Sequence, residues 1–251
     1  MNKLILDAGN SYLKAGIFLG RQLLSSITFS YQDDIRIVSG TFEQWINNYF
    51  IHTVGVCSVR NQEPVLDFLL YYFRDKNVVL INPQMRLPFS CLYQTVETLG
   101  ADRVALIVAG QDIFPQQNVL MAGLGTCITL DFVDSTGKYH GGSISPGLMM
   151  RTRALHDYTA RLPFVDVSAE FPDFLGNTTE SCMLSGVLYG IVHELNGFYE
   201  YYSEKFTTIK FCLTGGDASR FEKRLKGVNF VSQNLVLAGA NKLVDYQLDV
   251  E

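Results

Sequence analysis

At 251 residues the chain can hold two small domains or one large one, with ample core for independent folding. A composition of 47% hydrophobic and 18% charged residues marks a globular protein, and a net charge of −5 without any Lys/Arg cluster argues against nucleic acid as the main partner. No apolar run approaches the roughly 20 residues of a membrane span, and Asp7 interrupts the first apolar segment too early for a signal peptide, so a cytoplasmic protein without membrane contact is expected.

The first half opens with expected strands near 3–7, 13–19 and 23–30. Between the first two lies Asp7, Ala8, Gly9, Asn10, Ser11, Tyr12, Leu13 and Lys14. An Asp ending a buried strand before a Gly turn puts a carboxylate and several backbone N–H groups at one exposed point, the outline of a phosphate and metal site. Asp7 would hold Mg²⁺ or its waters, Gly9 would let the backbone approach the phosphates, and Asn10, Ser11 and Lys14 would donate to phosphoryl oxygens. A hairpin with a polar tip fits this segment equally. Helical patterns at 41–50 and 61–75 alternate with strands at 53–57 and 78–81.

A helix from Asp102 to Ile113 follows, preceded by Tyr93-Gln-Thr-Val-Glu-Thr-Leu99-Gly100-Ala101. Gly100 would free the backbone, and Asp102 and Arg103 would sit in the first helical turn, where the dipole favours an anion. Asp102 could accept a proton from a substrate hydroxyl while Arg103 anchors a polar or anionic substrate. A first-turn Asp beside a solvated Arg accounts for the local sequence as well. Pro115-Gln-Gln-Asn118 breaks the helix, so domains 1–116 and 117–251 are expected.

The second half repeats the order, with strands at 119–123, 127–133 and 139–144, a helix after Pro146-Gly147 and a long helix at 179–203. A strand at 208–214, a helix at 217–225, a short strand at 228–231 and a closing helix at 234–248 complete it. Val119 to Phe132 again gives strand, Gly turn and strand, and Thr214-Gly-Gly-Asp217 gives a late turn, which suggests an internal duplication. Each half is expected to be a three-layer, mixed-sheet α/β domain. Five scattered cysteines and four scattered histidines show no metal or triad spacing, and most of the cysteines are expected in the core.

Two phosphate turns and a late Gly-Gly turn resemble the actin-like (ribonuclease H-like) superfamily, which implies duplicated domains with a nucleotide cleft between them. The ordered motifs D-x-G-N-S-x-x-K, Y-x-T-x-x-T-L-G-x-D-R, G-T-x-I-T-x-D and G-G-x-I-x-P-G are similar to those of type III pantothenate kinase. That resemblance implies transfer of phosphate from ATP to pantothenate at the head of coenzyme A synthesis, with Mg²⁺ as cofactor, in a homodimer. It makes Asp102 the general base, Tyr93, Gly100, Ala101, Arg103 and Thr179 the pantothenate pocket, and Asp7 to Lys14 with Thr126 the ATP site. The family's second turn usually carries an Asp for K⁺ or NH₄⁺. Gly123 stands in its place here, which puts the cation in doubt. Another small-molecule kinase of the superfamily, or a noncatalytic nucleotide-binding regulatory relative, are the competing readings.

Overall fold

The computed structural model describes residues 1–60, 64–167 and 170–248. In chain order its first elements are β1 (Asn2–Ala8), β2 (Tyr12–Leu19), β3 (Gln22–Ser30), α1 (Ile35–Ile46), β4 (Ile51–Ser58), α2 (Pro64–Tyr72), β5 (Asn77–Ile81) and β6 (Ser90–Cys91). Then come α3 (Ala101–Ile113), β7 (Asn118–Leu124), β8 (Cys127–Val133), β9 (Lys138–Pro146), α4 (Leu148–Asp157), α5 (Thr179–Lys205), β10 (Ile209–Thr214), α6 (Ala218–Phe221), β11 (Val228–Val231) and α7 (Leu235–Gln247). The chain forms two compact units. One holds Met1–Pro115, Gly137–Tyr139 and the chain from Asn234 onward; the other holds Gln116–Thr136 and His140–Gln233.

The first unit is built on a sheet in the order β3–β2–β1–β4–β5, antiparallel among β1 to β3 and parallel from β1 through β4 to β5. Side chains alternate along β1, so Leu4, Leu6 and Ala8 join the core formed with Val38, Phe42 and Ile46 of α1 and Val65, Leu66 and Leu69 of α2. Lys3, Ile5 and Asp7 take the other face. Lys3 pairs with Asp245 of α7, and a Cβ on Gly55 would lie 2.5 Å from Val244 and 2.8 Å from Ile5, so α7 packs directly on this face. A Cβ on Gly239 would meet the Ala105 carbonyl at 1.8 Å, which shows how closely α7 lies on α3. The closing helix, assigned to the second half by its place in sequence, therefore covers the first unit's sheet.

The second unit repeats this plan. Its strands run β11–β10–β7–β8–β9, the same order as β5–β4–β1–β2–β3, with β7 and β8 antiparallel and β7, β10 and β11 parallel. The duplication expected from the two Gly turns is thus present in the topology. One face buries Leu120, Ala122, Leu130 and Phe132 against Leu184, Leu188, Ile191 and Leu195 of α5. The α5 N-terminus carries a capping box between Thr178 and Ser181. Short β6 pairs with the Lys138–Tyr139 end of β9, the part of that strand that belongs to the first unit.

Some local expectations shift. Helix α1 starts at Ile35 rather than 41, because Asp34 caps it by accepting the Arg36 N–H at 2.9 Å. The helix expected at 61–75 is seen as Pro64–Tyr72, its first three residues lying outside the described ones. All five cysteines are free thiols, but only Cys57 and Cys212 are buried. Among the described residues no helix is long and apolar enough to cross a membrane.

Candidate active site

The alternation of β1 decides where Asp7 points. It lies on the same face as Ile5, the side covered by α3 and α7, and Lys14 is its cross-strand partner on β2. Burial, then the charge of Asp102, push the Asp7 carboxyl up to about 7, and Lys14 partly offsets them. The β1–β2 turn is closed by the Gly9 N–H donating to the Tyr12 carbonyl at 3.1 Å. A Cβ on Gly9 would meet nothing closer than that carbonyl at 3.4 Å, so no protein contact demands glycine there. Asn10, Ser11 and Tyr12 are exposed at the tip, whereas Ala8 and Leu13 are fully buried and can offer only backbone. Cys57, beside Asp7 on β4, has its thiol held neutral by burial and by the charges of Asp7 and Asp102.

The base candidate comes from the start of α3. Asp102 is pushed up by burial, opposed by the Arg103 N–H that donates to its Oδ1 at 2.8 Å and by the Arg103 charge. Gly100 precedes it with φ −61° and ψ 138°, a conformation open to any residue, so backbone freedom is not its purpose. A Cβ there would lie 2.4 Å from Asp102 Oδ1. Glycine at this position leaves room for the carboxylate. Ala101 is buried, and so is Arg103 at 5% exposure, against the reading of Arg103 as a solvated residue. Its guanidinium lies 5.6 Å from the centre of the Tyr93 ring. The first unit thus brings together Asp7, Lys14, Tyr93, Gly100, Asp102 and Arg103. It adds Tyr139, a residue of the strand expected at 139–144, whose hydroxyl accepts from the Arg103 guanidinium.

The remaining expected residues belong to the second unit. Gly123 is the penultimate residue of β7, opposite Thr129 and Thr214, and the Gly125–Thr126 turn follows the strand. A Cβ on Gly147 would strike the Gly125 carbonyl at 2.1 Å, and the Gly147 N–H donates to the Thr126 carbonyl at 3.0 Å. The last glycine of G-G-x-I-x-P-G therefore seats the start of α4 on this turn. Gly215, with φ +98°, lets the late turn close on Leu124, whose carbonyl accepts the Asp217 N–H at 3.2 Å. Burial raises the Asp217 carboxyl, and Arg220 opposes it. Thr179 is exposed in the first turn of α5, one residue after the capping Thr178.

Among the described residues no three His, Cys, Asp or Glu side chains form an all-protein metal cage. A half-buried carboxylate beside a tip of backbone and hydroxyl donors suits Mg²⁺, which keeps most of its waters and shares phosphate oxygens. A monovalent cation fits the second turn less well. Gly123 supplies no charge, and the neighbouring Leu124 and Thr126 carbonyls already accept protein N–H groups.

Two mixed sheets of identical strand order, each with a glycine turn after its first strand, define an α/β protein of the actin-like and sugar-kinase fold. Solved structures share it: a ROK family glucokinase from Streptomyces griseus in complex with glucose and AMPPNP has a TM-score of 0.54 at 11% identity, covering 97% of this chain and 99% of that one. A protein from Campylobacter jejuni named for the Baf family of transcriptional activators has a TM-score of 0.59 at 19% identity, covering 98% and 99%. The chain belongs to the type III pantothenate kinase family, which it matches over residues 3–201. Type III pantothenate kinases from Cytophaga hutchinsonii and Bacteroides fragilis are 40% and 37% identical to it, covering 98% and 97% of this chain and 99% and 97% of their own.

Proposed function

We infer that the chain transfers the γ-phosphoryl group of ATP to the primary hydroxyl of pantothenate, giving 4'-phosphopantothenate and ADP, the first step of coenzyme A synthesis. The observation that carries this reading is the pair of carboxylates on one face of the first sheet. Asp7 stands at the phosphate turn and Asp102 at the start of α3, close enough in field for one to raise the other. Phosphoryl transfer needs little covalent help from protein; it needs positioning, charge neutralisation and a proton acceptor at the nucleophile. The turn from Ala8 to Leu13 offers N–H donors to the phosphates, with Asn10, Ser11 and Lys14 adding side chains, and Thr126 joins the ATP-binding residues on the family resemblance alone. Asp7 would hold Mg²⁺, directly or through water. When bound, that ion would neutralise charge on the phosphate oxygens.

Asp102 takes the hydroxyl proton as the oxygen–phosphorus bond forms and the bond to ADP breaks. Burial raises its proton affinity, while the Arg103 N–H keeps its orientation. Arg103, Tyr93, Gly100 and Ala101 shape the pantothenate pocket. Thr179 and a homodimeric assembly join this proposal on the family resemblance. The Baf name of the Campylobacter relative raises a regulatory reading, but a noncatalytic module has no use for the half-buried Asp7–Asp102 pair. The test is ATP labelled at its γ-phosphorus: label recovered on the pantothenate hydroxyl supports the reading, and label released only as inorganic phosphate contradicts it.

A further inference from the structure

Arg103 is a buried cation on a long side chain, and a substrate can use it only if its guanidinium is already oriented. Tyr139 supplies that orientation. The phenol is 0% exposed, and its hydroxyl accepts from Arg103 Nη2 at 2.9 Å. Its ring stacks on Tyr93 with centroids 6.1 Å apart and planes 21° apart, and meets Phe89 edge-on at 6.1 Å. The backbone is fixed as well. Cys91 of β6 pairs with Tyr139, and the Leu92 N–H donates to the Tyr139 carbonyl at 3.0 Å.

Phenylalanine would fill this aromatic box as well as tyrosine does. What distinguishes tyrosine is a hydroxyl that can meet the buried guanidinium. Tyr139 lies 36 positions from Arg103, yet β6 pairing carries it to the same unit.

We propose that Tyr139 is a positioning residue of the substrate pocket: its hydroxyl holds the Arg103 guanidinium beside Tyr93 in the orientation that receives pantothenate. It takes no part in phosphoryl transfer. The proposal rests on the reading of Arg103 as a pantothenate-binding residue, and the test separates the two.

Tyr139→Phe removes one oxygen and leaves the ring. A hydrogen bond to a charged group lost from a buried site should raise the KM for pantothenate about five- to thirtyfold. Turnover number and the KM for ATP should stay within about twofold, because the phosphate turn and Asp102 are untouched. Arg103→Gln should raise the pantothenate KM at least as far, and the double variant should be no worse than Arg103→Gln alone, since the hydroxyl acts only through the guanidinium. A normal pantothenate KM in Tyr139→Phe, with a raised one in Arg103→Gln, would overturn the proposal and leave the function standing. So would strictly additive effects in the double variant, or a joint fall in turnover, both affinities and melting temperature, which would mark Tyr139 as a packing residue only. If neither single variant changed the pantothenate KM, the assignment of Arg103 to the pocket would itself fall.

Discussion

Asp7→Asn should stabilise the unliganded protein while destroying its activity, and the gain should grow with pH. The native carboxyl binds its proton up to about pH 7, whereas an ordinary aspartate releases it near 3.9. Below the lower value both states are protonated and nothing differs. Between the two, the unfolded chain has released its proton and the folded one has not, so the stability of the wild type falls as pH rises, and levels off above about 7. Three decades of proton affinity at about 1.4 kcal/mol each give a loss on the order of 4 kcal/mol at pH 8 and about 1.5 kcal/mol at pH 5. Because part of the Asp7 side chain reaches solvent, these are upper figures. Asparagine keeps the shape and cannot ionise. In a chelator-containing buffer, the apparent melting temperature of Asp7→Asn should exceed that of the wild type at pH 8 by about 3 °C or more, with a much smaller gap at pH 5. Turnover should vanish in the same variant, since the residue that stores this unfavourable charge is the one proposed to meet Mg²⁺. A variant no more stable than wild type at pH 8, or a gap that does not widen with pH, refutes the argument that burial and Asp102 load Asp7.

Asp102→Asn should leave the fold and pantothenate binding in place while lowering turnover by roughly a hundredfold or more, the loss expected of a positioned base; steady-state kinetics within about threefold of wild type would remove it from the mechanism. Gly100→Ala, which puts a methyl group 2.4 Å from Asp102 Oδ1, should lower turnover about tenfold or more through a displaced carboxylate, with little change in melting temperature; an active variant would show that the carboxylate can move freely. Gly239→Ala drives a methyl group into the Ala105 carbonyl and should destabilise the protein by about 1–3 kcal/mol in denaturant titrations, with unchanged stability contradicting the close α3–α7 packing. Turnover should depend weakly or not at all on K⁺ or NH₄⁺, because Gly123 offers no charge; tenfold or greater activation by K⁺ over a bulky organic cation would show that other ligands hold the ion.

The sequence made the chemistry of this site more legible than its geometry. Asp7 with its turn, and Asp102 with Arg103, stand out as candidates because each lies in one short stretch of chain, strand, glycine and polar tip for the first and glycine before a helix start for the second. The repeat of the first stretch foretold two sheets of like topology. Gly100 was found but misunderstood, since a side-chain clash with Asp102 leaves no mark on backbone propensity. Tyr139 was missed because nothing in the Lys138–Pro146 strand marks it for a site, and only the β6–β9 pairing brings it to Arg103. Likewise α7 was recognised as a helix but placed with the wrong sheet. Amphipathic spacing says that a face is buried, and small residues such as Gly55 and Gly239 decide against what.

Pantothenate, and not another alcohol or acid, is the proposed phosphoryl acceptor of this site. The most direct test is the rate of ADP formation by the full chain with Mg²⁺ and ATP, measured with pantothenate beside a panel of hexoses and acetate, with the product's mass determined. Turnover with pantothenate should stand well above that with every other acceptor, and the product should be heavier than pantothenate by one phosphoryl group. A hexose or acetate turned over faster than pantothenate, or ADP formation indifferent to pantothenate, would contradict it.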